Sequence, residues 1–306
     1  MKISTKVLIL VFAGLIAVYA GIEYFGGKTR SDNYRSVLVE IKTDDVTSMK
    51  LTKGLQTITL RRDGENWRLT LPSGKEVPAR YSSVEQAVSA LPSIIPDKMV
   101  ARVPEKWAEY EVDTTGTRVQ VYEGEKETLD IVLGKFGMRG QNQFYTFVRL
   151  SDEEEVYVAN NFMSFSVPYG PDSYREQSLF DVDRDSLTAL AFRYPADSSF
   201  VLEKRDSLWT IGGIEADSAA LENLFSAIVS STSSAFEDEI DLAQLGAPVC
   251  TVTLKATNKE ITINAFHPAD KWIFQTSENE SLFADERKFN ELFVGKTLLL
   301  GGEAGQ

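Results

Sequence analysis

Residues 38–51 read LVEIKTDDVTSMKL, and residues 179–192 read LFDVDRDSLTALAF. Set one above the other, they align without a gap, 141 residues apart. Leu38 meets Leu179, Ile41 meets Val182, Asp44 meets Asp185, Val46 meets Leu187, Met49 meets Leu190 and Leu51 meets Phe192. Apolar positions meet apolar positions, while the charged positions between them drift. A pattern that recurs at a fixed distance marks a repeated structural unit, and it sets the frame for every motif.

The correspondence continues with small gaps. Trp67 in GENWRLTLP matches Trp209 in RDSLWTIGG. A helical pattern follows each tryptophan. In YSSVEQAVSALPSII (81–95), Ser82 or Ser83 is the expected N-cap, and Val84, Ala87, Val88, Leu91 and Ile95 share one face. In ADSAALENLFSAIVS (216–230), Asp217 is the expected cap, and Leu221, Leu224, Phe225, Ile228 and Val229 form the stripe. Strand patterns come next. The first set is TRVQVYE, TLDIVLG, FYTFVRL and EVYVAN, within 117–160, and the second is PVCTVTLKA, EITINAF, KWIFQT and SLFA, within 248–284. Alternating apolar residues broken by Gly, Asn and Lys-Glu turns predict antiparallel hairpins.

The expected fold class is therefore α+β. Two tandem modules each carry a mainly antiparallel sheet with one packed amphipathic helix, after an N-terminal transmembrane segment. The predicted segments are 1–30 (anchor or signal), 31–163 (first repeat), 164–177 (linker, with Pro168, Gly170 and Pro171) and 178–306 (second repeat). A short apolar helix is expected to close each repeat, around Phe162–Phe165 and Phe289–Phe293.

Bulk composition narrows the function classes. Hydrophobic residues at 43% and charged residues at 25% describe an ordinary cored protein. A net charge of −13 argues against nucleic acid as a partner, because phosphate backbones need basic patches. The single cysteine, Cys250, excludes an intramolecular disulfide. At the N-terminus, Lys2 and Lys6 precede the apolar run from Val7 to Ile22, which Glu23, Tyr24 and Phe25 follow. A basic flank before an apolar run is an export signal. The run is read as a retained single-pass anchor with interfacial Tyr24 and Phe25; cleavage after Ala20 is the alternative. With the basic tail held in the cytoplasm, the body beyond about residue 30 is expected in the periplasm or extracytoplasmic space.

The layout resembles the bacterial family labelled domain of unknown function 4340. The resemblance is carried by the anchor, the LVEIKTDDVTSMKL opening, the tryptophan strand GENWRLTLPSGKEVPA, the SSVEQAVSAL helix and the segment EYEVDTTGTRVQVY. It implies an inner-membrane protein with an extracytoplasmic body, a partner of ABC-type export or gliding-associated transport systems. It carries over no catalytic residues.

Side chains that resemble chemistry are each better explained by structure. Asp181, Asp183 and Asp185 alternate like the start of a calcium loop. Such a loop needs Gly at its sixth position and a bidentate carboxylate at its twelfth, where this chain has Ser186 and Phe192. The first repeat has Glu40, Lys42 and Asp44 there, and a lysine repels a cation. His267 is the only histidine, beside Pro268 in a predicted turn, and reads as a surface residue. Cys250 shares strand parity with Val252 and Leu254 and reads as a buried thiol. The runs Asp152–Glu155 and Glu237–Glu239 with Asp241 read as solvated faces or turns. Trp67 and Trp209 occupy one repeat position and read as core; Trp107 and Trp272 lie beside apolar patterns. Walker-type, G-x-S-x-G and dinucleotide motifs are missing. No residue is assigned to catalysis, cofactor binding or metal ligation, and no cofactor is expected.

The expected function is non-enzymatic: an anchored accessory or scaffold protein contacting an ABC-type transport or gliding-associated membrane complex. The alternative is a periplasmic binding module for a glycan or small solute, held between the repeats.

Overall fold

The computed structural model describes residues 35–302. The opening pair of stretches folds alike. In the second, the backbone makes a 3-10 turn over Arg184–Ser186 and then enters strand β10 (Leu187–Arg193). In the first, a 3-10 turn over Thr43–Asp45 leads into β1 (Val46–Lys53). The matched apolar positions Leu38, Val46, Met49 and Leu51 are buried, as are Leu179, Leu187, Leu190 and Phe192.

After β1 come β2 (Gln56–Asp63), β3 (Asn66–Thr70), β4 (Glu76–Ala79), helix α1 (Tyr81–Ala90) and β5 (Pro96–Ala101). The short helix α2 (Trp107–Tyr110) precedes β6 (Thr117–Glu123), β7 (Lys126–Arg139), β8 (Gln143–Leu150) and β9 (Val156–Asn160). After β10 the order is β11 (Phe200–Arg205), β12 (Leu208–Ile211), β13 (Ile214–Glu215), α3 (Ser218–Val229) and β14 (Phe236–Glu237). Then follow β15 (Cys250–Ala256), β16 (Glu260–Phe266), β17 (Ile273–Thr276), β18 (Leu282–Phe283), α4 (Glu286–Leu292) and α5 (Lys296–Leu299).

The strands form two nine-stranded antiparallel sheets. The first runs β4-β3-β2-β1-β6-β7-β8-β9-β5 and the second β13-β12-β11-β10-β15-β16-β17-β18-β14. With nine added to each strand number, the two orders are identical. Helices are few, so the arrangement is α+β and mainly β. The described chain groups into two compact units. One holds 35–46, Leu51–Leu55 and Val88–Val167; the other holds Thr47–Lys50, Gln56–Ala87 and 168–302. Among the described residues no helix is long and apolar enough to cross a membrane. The apolar run Val7–Ile22, read above as the anchor, lies outside them.

In the second sheet one face carries the core. Leu190, Phe192, Leu202, Val252, Leu254, Ile263 and Phe274 pack with Leu221, Leu224, Phe225 and Ile228 of α3. Asp217 caps that helix, accepting the Ala220 N–H at 2.8 Å. Val229, expected on the stripe, sits at the last helical position and is exposed, and Ala227 is buried instead.

In α1, Val84, Ala87 and Val88 are buried as expected. The helix starts at Tyr81, so neither Ser82 nor Ser83 is its cap; the Ser83 hydroxyl instead accepts from the Arg80 Nε at 2.6 Å. Pro92 breaks the α pattern after Leu91, and a 3-10 turn over Leu91–Ser93 changes the phase. Ile94 is thereby buried, and Ile95, expected on the apolar face, is exposed.

Candidate functional site

The residues that suggested chemistry serve the backbone. Asp183 accepts the N–H of Asp185 at 3.1 Å, and the Ser186 hydroxyl donates to the Asp183 carbonyl at 2.6 Å. That carboxylate is a turn cap. Among the described residues no group of three or more His, Cys, Asp and Glu side chains is placed to hold a metal. His267 is exposed, its ring 4.4 Å from that of Trp272. Cys250 is buried, and burial pushes its thiol pKa up. Trp67 is buried and donates to Glu85 at 2.9 Å; Trp209 is half-buried against Phe225.

The second acidic run is only partly a solvated turn. Glu237 is buried and accepts from Lys271 at 2.5 Å, and this hydrogen bond is the main cause holding its carboxyl below the usual range. Asp238 takes both terminal nitrogens of the buried Arg175. Asp241 does cap a turn, over Leu242–Gln244. Both pairings neutralise a buried charge, which a run of like charges in sequence does not reveal.

A different site emerges from comparing the sheets strand by strand. Across the first sheet, Arg118 pairs with Val132 and Val132 with Arg149. Across the second, Thr251 pairs with Asn264 and Asn264 with Gln275. These are equivalent rows, on the face opposite the core residues Val119, Ile131 and Val148, or Val252, Ile263 and Phe274. Each row floors a cavity. That of the second sheet, about 570 Å³, is lined by Thr251, Thr253, Thr262, Asn264 and Arg193 among others. That of the first, about 490 Å³, includes Arg118, Val132 and Arg149 with Thr52, Trp107 and Asp113.

The first cavity has the more distinctive electrostatics. Arg149 is only 6% exposed, and its guanidinium carbon lies 3.8 Å from the centroid of the Trp107 ring. Its Nε donates to the Val112 carbonyl at 3.1 Å, and Nη1 donates to the carbonyls of Leu150, Ser151 and Glu153 at 3.0–3.1 Å. Nη2 makes none of these bonds, and no carboxylate bonds this guanidinium among the described residues. Burial lowers its pKa. The nearby acids are engaged elsewhere. Asp130 holds Arg118 through two bonds of 2.8 and 2.5 Å. Asp113 accepts from the hydroxyl and N–H of Thr115 at 2.6 and 3.0 Å, which keeps its pKa low.

The segment through α2 to Gly116 covers this open face and builds a small second core of Val112, Val132 and Val156, flanked by Trp107, Tyr110 and Phe147. Two glycines permit the close approach. A Cβ on Gly134 would lie 2.4 Å from the Tyr110 carbonyl, and one on Gly116 would lie 2.4 Å from the Glu111 carbonyl. Nothing in the pattern FYTFVRL marks Arg149 as more than a strand residue. The available signal is a comparison: the repeat puts Arg149 where the second half has Gln275.

The family model described as Domain of unknown function (DUF4340) matches residues 67–248, more than half of the chain. The chain therefore belongs to that family, and the match includes both α2 and Arg149. No curated protein and no solved structure matches the chain.

Proposed function

We propose that this family member is a non-enzymatic, membrane-anchored extracytoplasmic protein. Its two tandem α+β modules present surfaces to a partner in a transport-type membrane complex, ABC-type or gliding-associated. One observation carries the reading: two sheets of identical strand order share apolar core positions and differ on their open faces. One open face is covered by α2 and holds Arg118 and Arg149; the other holds Thr251 and Asn264, with Gln275 in the place of Arg149. Duplicated frames that hold their cores and vary their faces are suited to recognition. The basic flank and apolar run at Val7–Ile22 support the anchor and the extracytoplasmic site of action. Co-purification in mild detergent tests the proposal. A stable membrane partner should be recovered with the full chain; recovery of the chain alone across several detergents counts decisively against it.

The second reading, a binding module for a glycan or small solute, is favoured by the cavity over Arg149 and Trp107. Its volume of about 490 Å³ falls in the range of small-molecule sites. A thermal-shift screen with cell-envelope glycans and small anions separates the readings. Stabilisation by a solute without any co-purifying protein selects the second.

A further inference from the structure

We infer that the cavity on the open face of the first sheet binds a small monocarboxylate with a short apolar body, which Arg149 holds through Nη2. The inference goes beyond the accessory role and does not depend on it. Three observations carry it. The first is the charge: a guanidinium this buried is ordinarily paired with an acid, yet its four bonds go to neutral carbonyls. The second is the counterpart. Gln275, in the equivalent place, donates from Nε2 to the Glu280 carbonyl at 2.9 Å. A neutral amide thus suffices to tie the following loop, and the tie alone does not call for a cation. The third is the lining. Asp130 neutralises Arg118, and Asp113 spends its carboxylate on Thr115 and bonds neither arginine, so a single guanidinium is left to meet an anion. A singly charged group is tolerated there better than a phosphate dianion. The Trp107 ring and Val132 supply an apolar wall.

The test titrates the full chain, in mild detergent at constant ionic strength, with sodium butyrate. Binding is read by calorimetry and by tryptophan emission. Sodium phosphate and butyramide are the comparison probes. Butyrate should bind saturably and change the emission, and the two comparison probes should bind far more weakly. Arg149→Gln, the residue of the second sheet, should fold and bind at least roughly tenfold more weakly. Trp107→Phe should lose the emission change, because Trp107 is the tryptophan that lines this cavity. If Arg149→Gln fails to fold, Thr114→Phe, a bulkier side chain at an exposed residue of the cavity lining, should fold and lose binding. The inference is overturned by the absence of saturable butyrate binding. It is equally overturned by unchanged binding in folded Arg149→Gln or Thr114→Phe, or by phosphate binding as tightly as butyrate.

Discussion

Arg175 and Asp238 form a two-bond ion pair, with Nη1 and Nη2 at 2.6 and 3.1 Å from the carboxylate oxygens. The Arg175 side chain is 2% exposed and lies 3.5 Å over the Phe236 ring, whereas Asp238 is 36% exposed. The buried partner therefore depends on the accessible one. Asp238→Ala should cost roughly 3 kcal/mol in urea unfolding, because it strands a buried cation. Arg175→Met combined with Asp238→Ala should recover most of that loss. If the double variant is no more stable than Asp238→Ala, this account of the pair is wrong.

Asp183 acts as a cap, and the consequence for metals is direct. Asp183→Ala should cost about 1 kcal/mol, the usual scale for a lost cap. Saturating calcium should leave the melting temperature of the wild-type chain unchanged. A calcium-dependent rise that disappears in Asp183→Ala would restore the metal reading.

The paired tryptophans should differ in weight. Trp67 is fully buried and hydrogen-bonded to Glu85, and Trp209 is half-buried. Trp67→Ala should cost about 3–5 kcal/mol, and Trp209→Ala clearly less, by chemical denaturation.

The Glu237–Lys271 pair predicts an acid limb of stability. Glu237 has a folded pKa below the ordinary 4.5, chiefly through its bond from Lys271. A lowered carboxyl pKa contributes stability that is complete above the unfolded value and lost as pH falls through the folded one. Unfolding free energy should therefore drop between about pH 5 and pH 3, less steeply in Glu237→Gln than in wild type.

Burial of Cys250, with its raised pKa, makes the thiolate scarce and shielded. A thiol reagent should modify the folded chain very slowly and the urea-unfolded chain at once. Equal rates would place Cys250 outside the core.

Much of this architecture was legible because burial imposes periodicity. The repeat of Val46, Met49 and Leu51 as Leu187, Leu190 and Phe192, the Asp217 cap and the hairpin strands all follow from apolar spacing and turn chemistry. Three elements escaped that logic. β5 begins at Pro96 and carries Asp97 and Lys98, so its sequence looks like a loop, although it pairs with β9. β7 runs on to Arg139 through a register shift between Leu133 and Phe136, with Gly137 fitting beneath the Tyr145 ring. Phase after Pro92 exchanged Ile94 for Ile95. The candidate site was the least legible part. Its cavity depends on an arginine in a strand meeting a tryptophan forty-two positions earlier, and local patterns carry no trace of that meeting.

The four outermost strands have a consequence for solubility. β4 contains Pro78, and β5 begins with Pro96. β13 and β14 are two residues long. Proline withholds an amide donor, and a two-residue ribbon offers almost no template for an incoming strand. Each sheet is nine strands wide yet presents margins unsuited to edge-to-edge polymerisation. Replacing Pro78 of β4 with a β-branched residue would restore an amide donor to that margin and reopen the route, and fibril formation is the hazard to watch for in such a variant.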